Sequence, residues 1–230
     1  MQMTFKTFVS CLLCLALLLV SGCGGQDRTT SSTTAISALT AAERAAADKL
    51  IAEHGKDAMI HYLDRYLVYE AHGGVIETQE MVLKHINYFV SQGTDVNARG
   101  TDGPGMTPLH WAARIGDIES AKILVSQGAN VNAMVDHPQA LSGTPLVFAI
   151  LEGSIEVVKF LVSHGADANV KVRHPNGSGE STPLAIAREM LDSLPGETTA
   201  PPNLPKEMLE RMNRIKTNLP EIVEFLSGRK

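Results

Sequence analysis

Apolar positions along the chain fall into short runs of helical period, and most runs end at a glycine. Ile60, Leu63 and Leu67 recur at i, i+3 and i+7, one face of a helix, and predict a helix over 57–71. Val82, Leu83, Ile86, Phe89 and Val90 predict another over 78–92. Further on the pattern shortens. Leu109, Ala112 and Ala113 share a face behind Thr107-Pro108, a cap followed by a first-turn proline, and Gly116 ends that helix. Ile118, Ala121, Leu124 and Val125 form the face of the next, stopped by Gly128. Upstream, order begins at "TAAERAAADKLIAEHG" (40–55), which predicts a further helix. Its Thr40 and Glu43 have the spacing of a capping box, its alanines favour helix, and Gly55 stops it.

The pattern then repeats. "SQGTDVNA" (91–98), "SQGANVNA" (126–133) and "SHGADANV" (163–170) are one phrase with glycines at 93, 128 and 165. "TPL" opens at Thr107, Thr144 and Thr182, and aligning 107–133 with 144–170 gives 14 identities in 27 positions. A fixed period in this range means a stacked array, because two short antiparallel helices and a turn cannot bury both apolar faces without a neighbour. Thr107 and Thr144 each stand 21 residues before their glycine, but Thr182 stands 46 before Gly228, so about 25 residues are inserted in the last unit. Within it "SLPGETTAPPNLP" (193–205) predicts a loop and "KEMLERMNRIKTN" (206–218) an extra helix. "LPEIVEFLSG" closes the array with Pro220 at a helix start.

"DGPGMTPLHWAARIGDIESAKILVSQGANVNA" (102–133) resembles an ankyrin repeat. The likeness is strong at 144–170, partial at 182–190, and confined to the second half of the unit at 78–98. It implies an all-α ankyrin-repeat solenoid over 56–230, with repeats of about 56–98, 99–133, 134–170 and 171–230, the last carrying an insertion near 192–216. A separate helix (40–55) precedes it. "TPLV" and "TPLA" lack the histidine of "TPLH". In such repeats that histidine is structural, so the resemblance assigns His110 a bridging role between turn backbone and the threonine position.

The N-terminus carries other information. One positive charge at Lys6 precedes "TFVSCLLCLALLLV", an apolar run too short to span a bilayer and suited to a secretory signal over 1–22. Val20, Ser21, Gly22 and Cys23 resemble a bacterial lipobox, which implies lipidation of Cys23 and cleavage before it. The alternatives are a plain signal peptide or an uncleaved anchor. Cys11 and Cys14 have a redox-like spacing but lie in the segment that would be removed. Residues 23–39, rich in Gly, Ser and Thr, read as a flexible tether. Gly24 rather than aspartate after the cysteine favours the outer membrane if the source is Gram-negative.

Charge and chemistry narrow the function. A formal net charge of −5 disfavours nucleic acid and a polybasic membrane patch. The sequence has no phosphate-cradling loop, zincin motif, nucleophile elbow or usable thiol, so no enzyme and no cofactor are expected. His137-Pro138 and His174-Pro175, with Asp136 adjacent, fall in neighbouring turn fingers but lack a third convergent ligand, so no metal site is expected.

The resemblance also implies a binding surface. Trp111, Arg114 and Ile115 share a helix face distinct from that of Leu109. They match the positions that face the concave groove of the family. Phe148, Leu151 and Glu152 follow in the next repeat, then Ile186, Glu189 and Met190. Trp111, Phe148 and Ile186 would form an apolar stripe open to a partner, with Arg114 and Glu152 orienting it. The alternative is that long neighbouring helices or the 193–205 loop cover the stripe. The expectation is a monomeric, non-catalytic lipoprotein that binds another protein on the outer side of the cytoplasmic membrane, as adaptor or inhibitor. An immunity protein against a periplasmic toxin is one form of this. An envelope assembly factor, and an enzyme built on 191–218, are the alternatives.

Overall fold

The computed structural model describes residues 38–71, 79–101, 104–136, 142–173, 179–194 and 206–228. The signal segment, Cys23, most of the tether, both His-Pro dipeptides and most of the 193–205 segment lie outside them.

Helix α1 (Ala41–His54) begins at the expected capping box: Glu43 N–H donates to Thr40 Oγ1 at 3.3 Å and Thr40 N–H donates to Glu43 Oε2 at 2.6 Å. A 3-10 turn (Gly55–Asp57) leads into α2 (Ala58–Ala71), and α3 (Gln79–Ser91) follows. The next units are α4 (Pro108–Ile115) with α5 (Ile118–Ser126), then α6 (Pro145–Glu152) with α7 (Ile155–Ser163), then α8 (Pro183–Ser193) with α9 (Lys206–Ser227). Helices α2, α4, α6 and α8 pack in sequence as an inner layer. Helices α3, α5 and α7 pack as an outer layer that α9 continues. The core lies between the layers, where Leu109, Leu124, Leu146, Ile150 and Leu161 are fully buried. Helix α1 packs on α2, with Ala47 inward. Asp48 of α1 accepts a hydrogen bond from the Tyr88 hydroxyl of α3.

Inner helices α4, α6 and α8 each open with a threonine and a proline, while α2 follows the 3-10 turn without them. Helices α4 and α6 stop at a left-handed glycine nine residues after the threonine. In α8 that place is taken by Leu191, so the helix runs on to Ser193. Asp117 caps α5, accepting from Glu119 N–H and Ser120 N–H at 3.1 and 3.3 Å.

The end of the chain departs from the expected pattern. Residues 206–218 and the closing helix are not separate: α9 is one helix of 22 residues with Pro220 inside it. The cause is a shared apolar stripe. Met212, Ile215, Leu219, Ile222 and Leu226 are all buried and spaced 3, 4, 3, 4, so both segments bury the same face.

Turn fingers connect the units. Val135 and Gly143 exchange backbone hydrogen bonds at 2.9 and 2.8 Å, and β1 (Val172–Arg173) pairs antiparallel with β2 (Glu180–Ser181). The repeated asparagines tie the units together. Asn97 Nδ2 donates to the Gly128 carbonyl at 3.1 Å while its Oδ1 accepts from Asn130 N–H at 2.8 Å. Asn132 repeats this with Gly165 and Asp167, at 2.9 and 2.8 Å. Each amide thus satisfies two backbone groups of the next unit.

Candidate functional site

His110 has no exposed surface. Its Nδ1 accepts the Thr107 N–H at 3.1 Å, with Thr107 Oγ1 at 2.8 Å, and Nε2 lies 3.3 Å from the Gly143 carbonyl. This pattern places the proton on Nε2, donating to the next finger. Burial is the main force that lowers its pKa to about 4, and the Arg99 charge adds to it. The imidazole is a neutral strut between repeats, as the resemblance implied. Val147 takes the histidine's place in the next unit, and Thr144 Oγ1 is left buried without a partner among the described residues.

The stripe of Trp111, Phe148 and Ile186 does not lie open. These side chains are only 1%, 4% and 1% exposed, which corrects the expectation of an apolar groove. Helices α4, α6 and α8 each pack against the inner helix before them, and Trp111 and Phe148 face that contact. The Trp111 indole Nε1–H donates to Asp64 Oδ1 of α2 at 3.3 Å. The Phe148 ring stands edge-on to the His110 imidazole of α4, centroids 5.4 Å apart. Aromatic side chains of this size stabilise such a seam by the area they remove from water and by their ring geometry.

Glu152 and Met190 are buried as well. Glu152 was expected at the groove edge, facing a partner. It is held instead by two guanidiniums of α9: Arg211 Nη2 lies 2.8 Å from Oε2, and Arg214 binds Oε1. Arg114, Ile115, Leu151 and Glu189 remain half-exposed. The Arg114 guanidinium sits over the Trp111 ring, 5.2 Å from its centre, so the buried indole positions a charge at the surface.

The described part of the finger edge carries charged side chains. Arg99 Nη1 donates to the carbonyls of Gly105 and Met134, at 3.2 and 2.9 Å, and joins two successive fingers. Arg173 pairs with Asp136 at 3.0 Å. Among the described residues no group of three or more His, Cys, Asp or Glu could hold a metal ion.

Several residues that organise this face escaped the sequence reading. Asn97 and Asn132 were visible in the repeated phrase, and their recurrence is the signal that could have exposed their linking role. Asp64, Arg211 and Arg214 gave none. Their partners lie on other helices, in a register that no local periodicity encodes.

No curated protein sequence matches the chain. Residues 75–172 match the family model for ankyrin repeats, in three copies. The match stops before the interrupted last unit, and with the stacked helix pairs it identifies the fold as an all-α ankyrin-repeat solenoid.

Proposed function

We propose that this chain binds another protein without catalysis, and that it does so as a lipid-anchored domain on the outer side of the cytoplasmic membrane. Ankyrin repeats are protein-interaction modules, and three copies of them make up the centre of the chain. The contact surface is the half-exposed row of Arg114, Ile115, Leu151 and Glu189 on the inner helices. The buried stripe behind it is the seam that fixes this row in place. The observation that carries this reading is Arg114, whose guanidinium is positioned on the Trp111 ring at the exposed side of the helix. A pre-positioned charge binds with little ordering cost. An adaptor or inhibitor fits this surface, and an immunity protein is one such inhibitor.

The test is co-purification from envelope extracts with the parent chain and with Arg114→Ala and Leu151→Ala. A partner held by the row is lost from both variants and kept by Lys122→Ala, which alters an exposed residue of the outer layer. Retention by both row variants would contradict the reading. Truncating an anchoring contact typically costs about 2 kcal/mol of binding, roughly 30-fold.

The anchor rests on Val20, Ser21, Gly22 and Cys23, which follow the apolar run. Cys23→Ser should leave the detergent phase in a phase-partitioning assay of cells expressing the full chain. Unchanged partitioning would remove Cys23 as the lipid site.

A further inference from the structure

Of the 22 residues of α9, the first 14 belong to no repeat. In sequence, "PEIVEFLS" (220–227) resembles "IEVVKFLVS" (155–163) with Phe225-Leu226 matching Phe160-Leu161, so the repeat-type outer helix is taken to start at Pro220. Residues 206–219 are an addition fused to its front. This addition reaches the α6–α7 turn of the preceding unit and is fastened there in three ways. Arg211 and Arg214, one turn apart and therefore on one face, hold the two oxygens of Glu152. Asn218 Nδ2 donates to the Gly153 carbonyl at 2.9 Å. Ile215 lies against Gly153 so closely that a Cβ there would stand 2.8 Å from the Ile215 Cα. The turn accepts this helix because Gly153 has no side chain.

The other end of the addition is a weak point. Pro220 has no N–H, so the Lys216 carbonyl lacks its helical partner, and helices bend at such a break. The helix therefore continues across this break into a segment held by the Glu152 ion pairs and by the buried side chains of Met212, Ile215 and Leu219. The Glu152 side chain is 6% exposed, while those of Arg211 and Arg214 are 32% and 45% exposed. The acceptor is deep and belongs to the repeat. The donors lie at the surface and belong to the addition.

We propose that residues 206–219 are a hinged strap that lifts about Pro220, and that the Glu152–Gly153 turn beneath it accepts a partner helix carrying two arginines one turn apart. The strap occupies this acceptor in the resting chain and shows by its own chemistry what fits. The proposal rests on the array being a protein-binding module, but its test needs no natural partner. A fluorescent synthetic peptide of residues 206–219 is titrated into three full-length chains. These are the parent, Arg211→Ala/Arg214→Ala, and the same double variant with Glu152→Gln, each confirmed folded by circular dichroism. The double variant should bind the peptide at least about tenfold more tightly than the parent, and the triple variant no better than the parent. The strap would be overturned by a parent that binds as tightly as the double variant, by a double variant that does not bind, or by binding that ignores Glu152→Gln. Hydrogen exchange on the parent gives a second reading independent of variant folding. Raised salt should speed exchange of amides 206–217 while 221–227 stay protected, and equal acceleration of both halves would exclude the hinge. Success here with failure of the Arg114 and Leu151 variants would leave the strap standing and move the main contact surface.

Discussion

Both ring nitrogens of His110 are used inside the array, and that commits the residue to one protonation state. Its folded pKa of about 4 lies below the ordinary 6.5, mainly through burial. The unfolded chain therefore binds the proton first as pH falls. The contribution of His110 is fully present above pH 6.5 and is lost as pH falls towards 4, on the order of 3 kcal/mol in all. Asp117 acts in the opposite sense. Burial raises its carboxyl above the usual range, so its contribution is present at low pH and is lost as pH rises through the folded value. It offsets part of the acid loss near the lower limit. Urea unfolding at pH 7 and at pH 4.5 should show the parent losing stability, and His110→Gln, weaker at pH 7, losing much less between the two. Equal losses would mean that His110 is not buried and neutral. The sequence marked this residue as structural through the "TPLH" resemblance, but the protonation state depends on Gly143, 33 residues away.

Helix starts and stops were the most legible elements, because caps are local chemistry. Thr40 with Glu43 caps α1, Thr107 with His110 closes a capping box on α4, and α6 starts at Thr144-Pro145 although the Thr144 hydroxyl makes no capping bond. Gly128 ends its unit at φ +87°, with nothing within 4 Å of where a Cβ would stand. Substitution there carries only the backbone cost, so Gly128→Val should lose on the order of 1–2 kcal/mol and melt lower. An unchanged melting temperature would show that this helix end is not left-handed in solution. Helix α9 resisted the same local reading. Pro220 signals a helix start, yet the apolar stripe from Met212 to Leu226 carries one helix across it. Continuity of burial outweighed the break, and that continuity depends on what α9 packs against.

At the scale of the whole molecule, period reveals which residues share a face but not what stands opposite. The sequence reading put Trp111, Phe148 and Ile186 on a face other than that of Leu109, yet all four lie in one buried core. Trp111 meets Asp64 of α2 and Phe148 meets His110 of α4, so the stripe became the seam between inner helices. The candidate surface contracted to Arg114, Ile115, Leu151 and Glu189, while Glu152 passed to the strap. Only the register between repeats, and the placement of the inserted segment, could have revealed this in advance. The chain's single tryptophan makes the claim directly measurable. Acrylamide quenching of native Trp111 fluorescence should be weak and its emission blue-shifted, with both changing together when the array unfolds. Strong quenching with red-shifted emission in the folded chain would contradict the account and reopen the stripe as a partner site.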